Sequence, residues 1–240
     1  MKREQTQVIN EFSGFEHAID KLGQMQGKNF SESLEDFLDC YLTQMCGNPD
    51  EQYKNKFCRM LKEDVQRQAF LEAMIEYGKA ADDYRDPLGE VYMLRVSNGD
   101  FGQFFTPKHI CDLMAKISEG EKVADTLYDS ACGSGRLLLS GLKHSRKRGV
   151  EPVIHANDIA LTCVKMALAN FLSNGAIGEV TLGSALEDDD NKTHYLLDRV
   201  VVDGCVMPCY WRYTTNNKEQ VLFERMNFYS HKDIQSWEGI

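Results

Sequence analysis

Apolar residues in the first part of the chain recur with the period of a helix. One stripe falls at i, i+3, i+4, i+7 and i+8 and consists of Leu34, Phe37, Leu38, Tyr41 and Leu42. This spacing predicts an amphipathic helix, which Gly47 and Pro49 end. A second helical region is predicted from Pro49 to about residue 77.

A charged stretch closed by a proline, residues 81–87, is the best candidate for a boundary. We therefore divide the chain into a helical N-terminal region at residues 1–95 and a second unit at residues 96–240. Neither unit contains an internal repeat or a segment of low complexity.

The second unit alternates short apolar runs with helical stretches. The runs predict strands at residues 123–128, 153–156, 180–182 and 199–202, and residues 220–225 are a candidate for one more. A helix beginning at Thr106 and Pro107 precedes them, with one apolar face formed by Ile110, Leu113, Met114 and Ile117. Strands that alternate with helices predict βαβ units and a parallel sheet, in which ligands bind at the carboxyl ends of the strands.

Composition and charge argue against several classes of function. The formal net charge of -10 argues against a protein that binds nucleic acid over its whole surface, because phosphate is bound by Lys and Arg. Binding through a local basic patch or a basic partner is an open alternative. No apolar run is long enough to span a bilayer and the start lacks an apolar signal segment, so we expect a cytoplasmic protein without membrane contact. The eight cysteines contain no Cys-x-x-Cys pair, and we predict no metal site.

The sharpest local feature is a glycine turn between a predicted strand and a helix. Gly133 and Gly135 allow the backbone to approach a ligand closely. The turn is neither a dinucleotide fingerprint, whose last glycine would fall at Leu138, nor a P-loop. Asp158 ends the next predicted strand, where it is placed to accept hydrogen bonds from ribose hydroxyls or to cap the following helix.

Three motifs in order resemble those of a known family. They are GQFFTP at residues 102–107, DSACGSG at 129–135 and ANDI at 156–159, preceded by DPLGEVY at 86–92. Together they are similar to the modification subunits of type I restriction systems, which are adenine-N6 DNA methyltransferases that use S-adenosylmethionine. The resemblance implies an α/β, Rossmann-like methyltransferase core behind the helical N-terminal region, and the sequence leaves open whether its sheet is complete or incomplete.

The resemblance also implies a cofactor site. Phe104, Thr106 and Pro107 would line it beside the glycine turn. Asp129, Gly133 and Gly135 would hold the methionine part, because its ammonium needs a carboxylate or carbonyl partner. Asp158 would bind the ribose, and Ser184 would lie near the adenine, where family members often carry an acidic or amide residue.

The catalytic motif departs from the family pattern. The family expects Asn/Asp-Pro-Pro-Tyr/Phe after the fourth strand, where a flipped adenine stacks on the aromatic ring. Here DGCV at residues 203–206 keeps an acid, and MPCYW at 207–211 keeps one proline and the aromatic residue. Asp203 is the candidate acceptor for the adenine amino group and Tyr210 the candidate stacking residue; a strand end and an exposed aromatic residue are the structural alternatives.

The leading functional hypothesis is therefore S-adenosylmethionine-dependent methylation of adenine N6 in DNA. The alternative is a catalytically degenerate subunit of the same family that binds cofactor or a partner, and a weaker one is a methyltransferase for small molecules or proteins. DNA would be reached through a specificity subunit or another partner, and hetero- and homo-oligomers both stay open. The basic run at residues 143–148 would contact phosphate or complement the C-terminus of its helix.

Overall fold

The computed structural model describes residues 11–97, 105–118, 123–188, 192–202, 204–229 and 234–236. Phe104 and Asp203 lie outside these residues. Within them, a group of helices at the front of the chain packs on a mixed sheet that carries helices of its own. The prediction of an α/β core preceded by a helical region is confirmed.

The front region consists of helices joined by short connections. They are α1 (Ser13–Gln26), α2 (Phe30–Thr43), α3 (Glu51–Lys62), α4 (Asp64–Ala81) and α5 (Pro87–Arg95). Asn29 and Glu32 form a capping box that begins α2, and the predicted stripe of this helix is buried. The second predicted helical region is two helices, because Glu63 adopts an extended conformation between α3 and α4.

The sheet and its helices follow in alternation. The strands are β1 (Thr126–Asp129), β2 (Val153–Asp158), β3 (Ile177–Leu182), β4 (Thr193–Val202), β5 (Cys205–Thr214) and β6 (Ile234–Ser236). The helices are α6 (Lys108–Ser118), α7 (Arg136–Lys147), α8 (Leu161–Ser173) and α9 (Lys218–Tyr229). The candidate strand at residues 220–225 is wrong, because these residues belong to α9.

The strand order is β1-β2-β3-β4-β5, with β6 beside the far end of β4. The first three strands are parallel, as predicted, but β4 is antiparallel to β3, with Thr193 opposite Leu182. The connection at residues 183–192 is shorter than the dozen or more residues that a parallel crossover requires. Val202, at the end of β4, therefore lies at the opposite edge of the sheet from the carboxyl ends of β1, β2 and β3.

One hydrophobic core joins the front helices to the sheet. Phe37 and Tyr77 contact each other edge to face, with ring centroids 5.7 Å apart, in a cluster of aromatic rings from α1, α2 and α4. The same core includes the predicted apolar face of α8, formed by Val164, Leu168 and Leu172. The division of the chain near residue 95 stays a prediction, since buried side chains from both sides of it share this core.

The segment after α2 covers the outer edge of β5. The backbone N–H of Tyr210 donates to Met45 O over 3.0 Å, and Gly47 N donates to Tyr210 O over 2.8 Å. The side chain of Asn48 exchanges two more hydrogen bonds with the backbone of Arg212. This edge strand therefore has backbone partners on both sides at Tyr210.

Candidate cofactor site

The glycine turn connects β1 to α7 at the carboxyl edge of the parallel strands. Gly133 and Gly135 have φ angles of 56° and 83°, in the left-handed region that favours glycine. A Cβ at Gly133 would lie 2.8 Å from the ring of Phe105, so this position needs glycine for space as well. Cys132 N donates to Asn157 O over 2.9 Å, which fixes the turn to the end of β2.

Asp158 bridges the glycine turn and the start of α8. Its Oδ2 accepts a hydrogen bond from Gly133 N over 2.8 Å, and its Oδ1 accepts one from Ala160 N over 2.9 Å. The N-cap residue of α8 is Ala160, so Asp158 does not cap this helix in the expected position. The carboxylate instead lies directly against the turn.

Asp129 supplies a second carboxylate at this edge. Its Oδ1 accepts from Ala131 N over 3.1 Å. Burial raises the pKa of Asp129, and the negative charge of Asp158 raises it further. Neither carboxylate has an ion-pair partner among the residues that the structure describes. Two half-buried acceptors without a cation fit a ligand that offers an ammonium group and hydroxyls.

The segment from residue 105 to 107 lies beside the glycine turn. The rings of Phe105 and Tyr92 stack with their centroids 5.9 Å apart, and Phe105 also covers Gly133. Thr106 and Pro107 are exposed, and Thr106 O accepts a hydrogen bond from Arg136 Nη1 over 3.3 Å.

Ser184 lies in the turn that follows β3. Its Oγ accepts from Leu186 N over 3.3 Å, and the preceding Gly183 N donates to Asp158 O over 3.0 Å. The described candidates for cofactor binding therefore gather at one edge of the sheet: Thr106, Pro107, Asp129, Gly133, Gly135, Asp158 and Ser184. Their individual roles stay predictions.

Asp86 is a structural anchor that the sequence did not reveal. This fully buried carboxylate accepts hydrogen bonds at Oδ2 from Ser134 Oγ and Arg136 Nε, over 2.5 and 2.8 Å. Its Oδ1 accepts from Gly89 N and Asn170 Nδ2, over 2.8 and 2.7 Å. The position of Asp86 before Pro87 indicates an N-cap, but the contact with the glycine turn joins residues far apart in the chain.

The network continues from Asp86 into the front helices. Tyr77 Oη donates to Asn170 Oδ1 over 3.0 Å, and Ser173 Oγ lies 3.2 Å from Tyr77 Oη. Tyr41 Oη lies 2.8 Å from Ser173 Oγ. Side chains of α2 and α4 are thus connected by hydrogen bonds through α8 to the glycine turn.

Of the two candidate catalytic residues, the structure describes Tyr210, and this residue does not lie at the edge of the glycine turn. Val202, which precedes Asp203, lies at the opposite edge of the sheet. Tyr210 is buried in the middle of β5, not exposed, and its ring centroid lies 6.1 Å from that of Tyr195. Burial raises the pKa of Tyr210 well above its ordinary value.

Tyr210 lines a cavity of about 130 Å³ between α2, α8 and the last strands. Tyr53, Tyr195, Lys165 and Arg212 line it as well. The catalytic assignments of Asp203 and Tyr210 stay predictions.

Residues of the basic run on α7 form ion pairs within the fold. Lys143 forms an ion pair with Asp83 at 2.6 Å, and Arg146 pairs with Glu151 at 2.6 Å. Arg146 also donates to the carbonyl of Gly175 over 2.8 Å. In the described ranges, no group of three or more His, Cys, Asp or Glu side chains is arranged to hold a metal ion, and no helix is long and apolar enough to cross a membrane.

Two curated proteins are similar to parts of this chain. The type I restriction enzyme MpnII methylase subunit of Mycoplasma pneumoniae is 42% identical over 65 residues, covering 24% of this chain and 12% of that protein. The type I restriction enzyme MjaIX methylase subunit of Methanocaldococcus jannaschii is 25% identical over 124 residues, covering 48% and 22%. The chain therefore spans less than a quarter of the length of each.

Two solved structures are also similar. A class I S-adenosylmethionine-dependent methyltransferase described as putative, from Listeria monocytogenes, shares 16% identity over 77% of this chain and 56% of its own, with a TM-score of 0.46. A type I restriction-modification methyltransferase subunit from Streptococcus thermophilus shares 18% identity over 77% and 54%, with a TM-score of 0.39.

The match to a family model covers more than half of the chain. Residues 84–233 match the model described as N-6 DNA Methylase. This range includes Asp86, the glycine turn and Asp158. It confirms the resemblance drawn from the three motifs: the chain belongs to the N-6 DNA methylase family.

Proposed function

We propose that this chain binds S-adenosylmethionine at the glycine turn and serves the methylation of adenine N6 in DNA within a type I restriction-modification system. The observation that carries the proposal is the pair of carboxylates at this turn. Asp158 bonds directly to Gly133 N, and neither Asp158 nor Asp129 has a cation partner among the described residues. Membership of the N-6 DNA methylase family supports the reaction class.

The residues at the turn fit the two polar parts of the cofactor. Asp129 would accept from the ammonium of the methionine part, and Asp158 would accept from the ribose hydroxyls. Thr106, Pro107 and Ser184 would line the rest of the site. When bound, the cofactor supplies an electrophilic methyl group on its sulfonium centre.

DNA would reach this chain through a partner, in our proposal a specificity subunit. The net charge of -10 opposes binding to phosphate over the whole surface. Lys143 and Arg146 of the basic run are engaged with Asp83 and Glu151. A partner with its own basic surface would supply the missing attraction for phosphate.

A second candidate function is a subunit that binds the cofactor or a partner without catalysing transfer. The antiparallel direction of β4 favours it, because the residue before Asp203 lies at the edge opposite the glycine turn. We keep Asp203 as the proposed acceptor and Tyr210 as the proposed stacking residue. We expect the isolated chain to methylate DNA poorly or not at all.

Calorimetry with S-adenosylmethionine and its demethylated product tests the binding step. Asp158→Ala should weaken binding by about 1–3 kcal/mol, since a hydrogen bond to a charged acceptor is lost. Asp125→Ala is the matched control, because Asp125 is an exposed acid just before β1. Folded wild-type protein that gives no heat with either ligand would contradict the proposal.

Transfer of labelled methyl groups separates the two candidate functions. Wild-type protein is incubated with mixed-sequence DNA alone, and then with a candidate specificity subunit. Incorporation that requires the partner supports a methyltransferase subunit, whereas cofactor binding without any incorporation supports the non-catalytic alternative. Label that enters only protein or small molecules would point to another substrate class.

A further inference from the structure

A buried carboxamide lies between the front helices and the glycine turn. Asn170 of α8 is fully buried, and its Nδ2 donates to Ser134 O over 2.9 Å and to Asp86 Oδ1 over 2.7 Å. Its Oδ1 accepts from Tyr77 Oη of α4 over 3.0 Å. Both ends of the amide are therefore held by residues from other parts of the chain.

The partners of Asn170 fix the orientation of its amide. Ser134 O and the Asp86 carboxylate are both acceptors, so the NH2 group of the amide must face them. The amide oxygen then faces Tyr77, whose hydroxyl is the donor that this oxygen requires. Phenylalanine in place of Tyr77 would remove that donor from a buried oxygen, which is costly. The amide would lose the contact that keeps its N–H groups on Ser134 and Asp86.

Ser134 is the central residue of the glycine turn. Its neighbour Gly133 donates its N–H to Asp158 over 2.8 Å. A movement of the Ser134 carbonyl shifts the peptide that joins this residue to Gly135, and with it the turn against which Asp158 lies. The hydrogen bond from Asn170 thus acts on the backbone between residues that we propose to bind the cofactor.

Close packing leaves the turn little room to adjust. A Cβ at Gly135 would lie 2.6 Å from the ring of Phe171, the residue after Asn170 in α8. From α5, a Cβ at Gly89 would lie 2.5 Å from Ser134 Oγ. Because both helices pack this closely against the turn, a change in the Asn170 amide is transmitted to the backbone of the turn.

We propose that Tyr77 is a positioning residue for the cofactor site and acts through the amide of Asn170. The inference rests on the proposed function, since it gives α4 a part in the binding of S-adenosylmethionine at the glycine turn. The hydroxyl of Tyr77 holds Asn170, and Asn170 holds the carbonyl of Ser134. The front helices thus contribute to cofactor affinity as well as to the hydrophobic core.

Tyr41 offers a matched control from the same aromatic cluster. Its ring centroid lies 5.1 Å from that of Tyr77, and its Oη lies 2.8 Å from Ser173 Oγ. Ser173 is exposed, and its Oγ lies 3.2 Å from Tyr77 Oη. Water can replace the hydrogen bond that Tyr41→Phe removes, so this variant should leave the amide of Asn170 in place.

Calorimetry with S-adenosylmethionine compares wild type, Tyr77→Phe and Tyr41→Phe at a temperature at which all three are folded. Tyr77→Phe should weaken binding about tenfold, because a buried acceptor loses its donor, whereas Tyr41→Phe should stay within about twofold. Wild-type protein that does not bind would overturn the proposed function together with this inference. Wild-type binding that Tyr77→Phe leaves unchanged, or that Tyr41→Phe weakens equally, would overturn the inference alone.

Two further measurements distinguish positioning from a general loss of stability. Without ligand, Tyr77→Phe should accelerate hydrogen exchange more at the Gly133 amide than at the Val180 amide of β3, since general destabilisation would raise both alike. Asn170→Ala should itself weaken binding about tenfold, and Tyr77→Phe in that background should cause no further loss of affinity. The exchange measurement decides where Asn170→Ala does not fold. Equal acceleration at both amides, or losses of affinity that add in the double variant, would show that Tyr77 does not act through Asn170.

Discussion

Asp86 and Arg136 form a buried ion pair between the start of α5 and the start of α7. Arg136 Nε lies 2.8 Å from Asp86 Oδ2, and the two side chains are 7% and 1% exposed. Arg136 also pairs with Glu90 at 2.7 Å. A buried pair of this kind is costly to break, because removal of one partner leaves the other charge without compensation. The glycine turn therefore depends on a residue that precedes it by more than forty positions.

We expect Asp86→Ala to lower the free energy of unfolding by about 3–5 kcal/mol, since it leaves the guanidinium of Arg136 buried beside fewer acceptors. Glu72→Ala is the control, because Glu72 pairs with Lys21 at the surface and should contribute about 0–1 kcal/mol. Urea unfolding of both variants measures the difference. Equal losses in the two variants would show that Asp86 is not the anchor described above.

Gly133 should be far less tolerant of a side chain than Gly27. Both have a positive φ, 56° and 67°, so alanine strains the backbone at either position by about 1–2 kcal/mol. A Cβ at Gly27 would meet nothing within 4 Å, whereas one at Gly133 would lie 2.8 Å from Phe105. Gly133→Ala should therefore destabilise the protein more and also weaken cofactor binding, as denaturation and calorimetry would measure. Similar losses in both variants would exclude a role for the contact with Phe105.

Patterns within a few residues of the sequence predicted the helices and turns better than they predicted how the strands are arranged in the sheet. The stripe of α2, the apolar face of α8 and the glycine turn between β1 and α7 all depend on spacing within a few residues, and all three are found in the structure. The direction of β4 has no such local pattern, because apolar runs in parallel and antiparallel strands look alike. The predicted strands left residues 183–198 between them, long enough for a parallel crossover. The reversal became evident only from the structure, in which β4 begins earlier, at Thr193.

Long-range contacts explain the rest of what the sequence did not reveal. The apolar period of α6 identified a helix and its face, but not that this face is exposed. Asp86 was interpreted as part of a charged boundary, yet it is buried by Ser134, Arg136 and Asn170. The placement of Tyr210 depends on Met45 and Gly47, which cover its strand from the other end of the chain.

We expect substitutions at Tyr210 to lower the stability of the protein, and any loss of methyl transfer to follow from that lower stability. Tyr210→Ala should cost about 3–5 kcal/mol, because it removes a buried ring that packs near Tyr195. Tyr210→Phe keeps the ring and should cost about 1 kcal/mol or less. Thermal unfolding should be measured beside methyl transfer. Loss of transfer in an alanine variant as stable as wild type would instead support direct stacking on the target base.

Asp129→Asn should stabilise the protein without ligand and weaken cofactor binding, and the gain in stability should depend on pH. The pKa of Asp129 is raised from its ordinary value of 3.8, so the folded protein binds a proton more readily than the unfolded chain. Stability therefore falls as the pH rises from about 4 through the raised pKa, and the neutral asparagine removes that loss. The variant should melt at a higher temperature than wild type at pH 7, and this difference should shrink toward zero as the pH falls and the wild-type carboxyl becomes protonated.

S-adenosylmethionine should reverse the order of the two melting temperatures. Its ammonium would compensate the charge of Asp129, so saturating ligand should stabilise wild type more than Asp129→Asn at pH 7. Asp125→Asn, an exposed substitution before β1, is the control and should leave the response to ligand unchanged. Melting curves from pH 3 to pH 8 with and without ligand measure both effects. A variant that stays more stable than wild type at every ligand concentration would remove Asp129 from the proposed cofactor site, and a variant that melts lower without ligand would contradict the raised pKa.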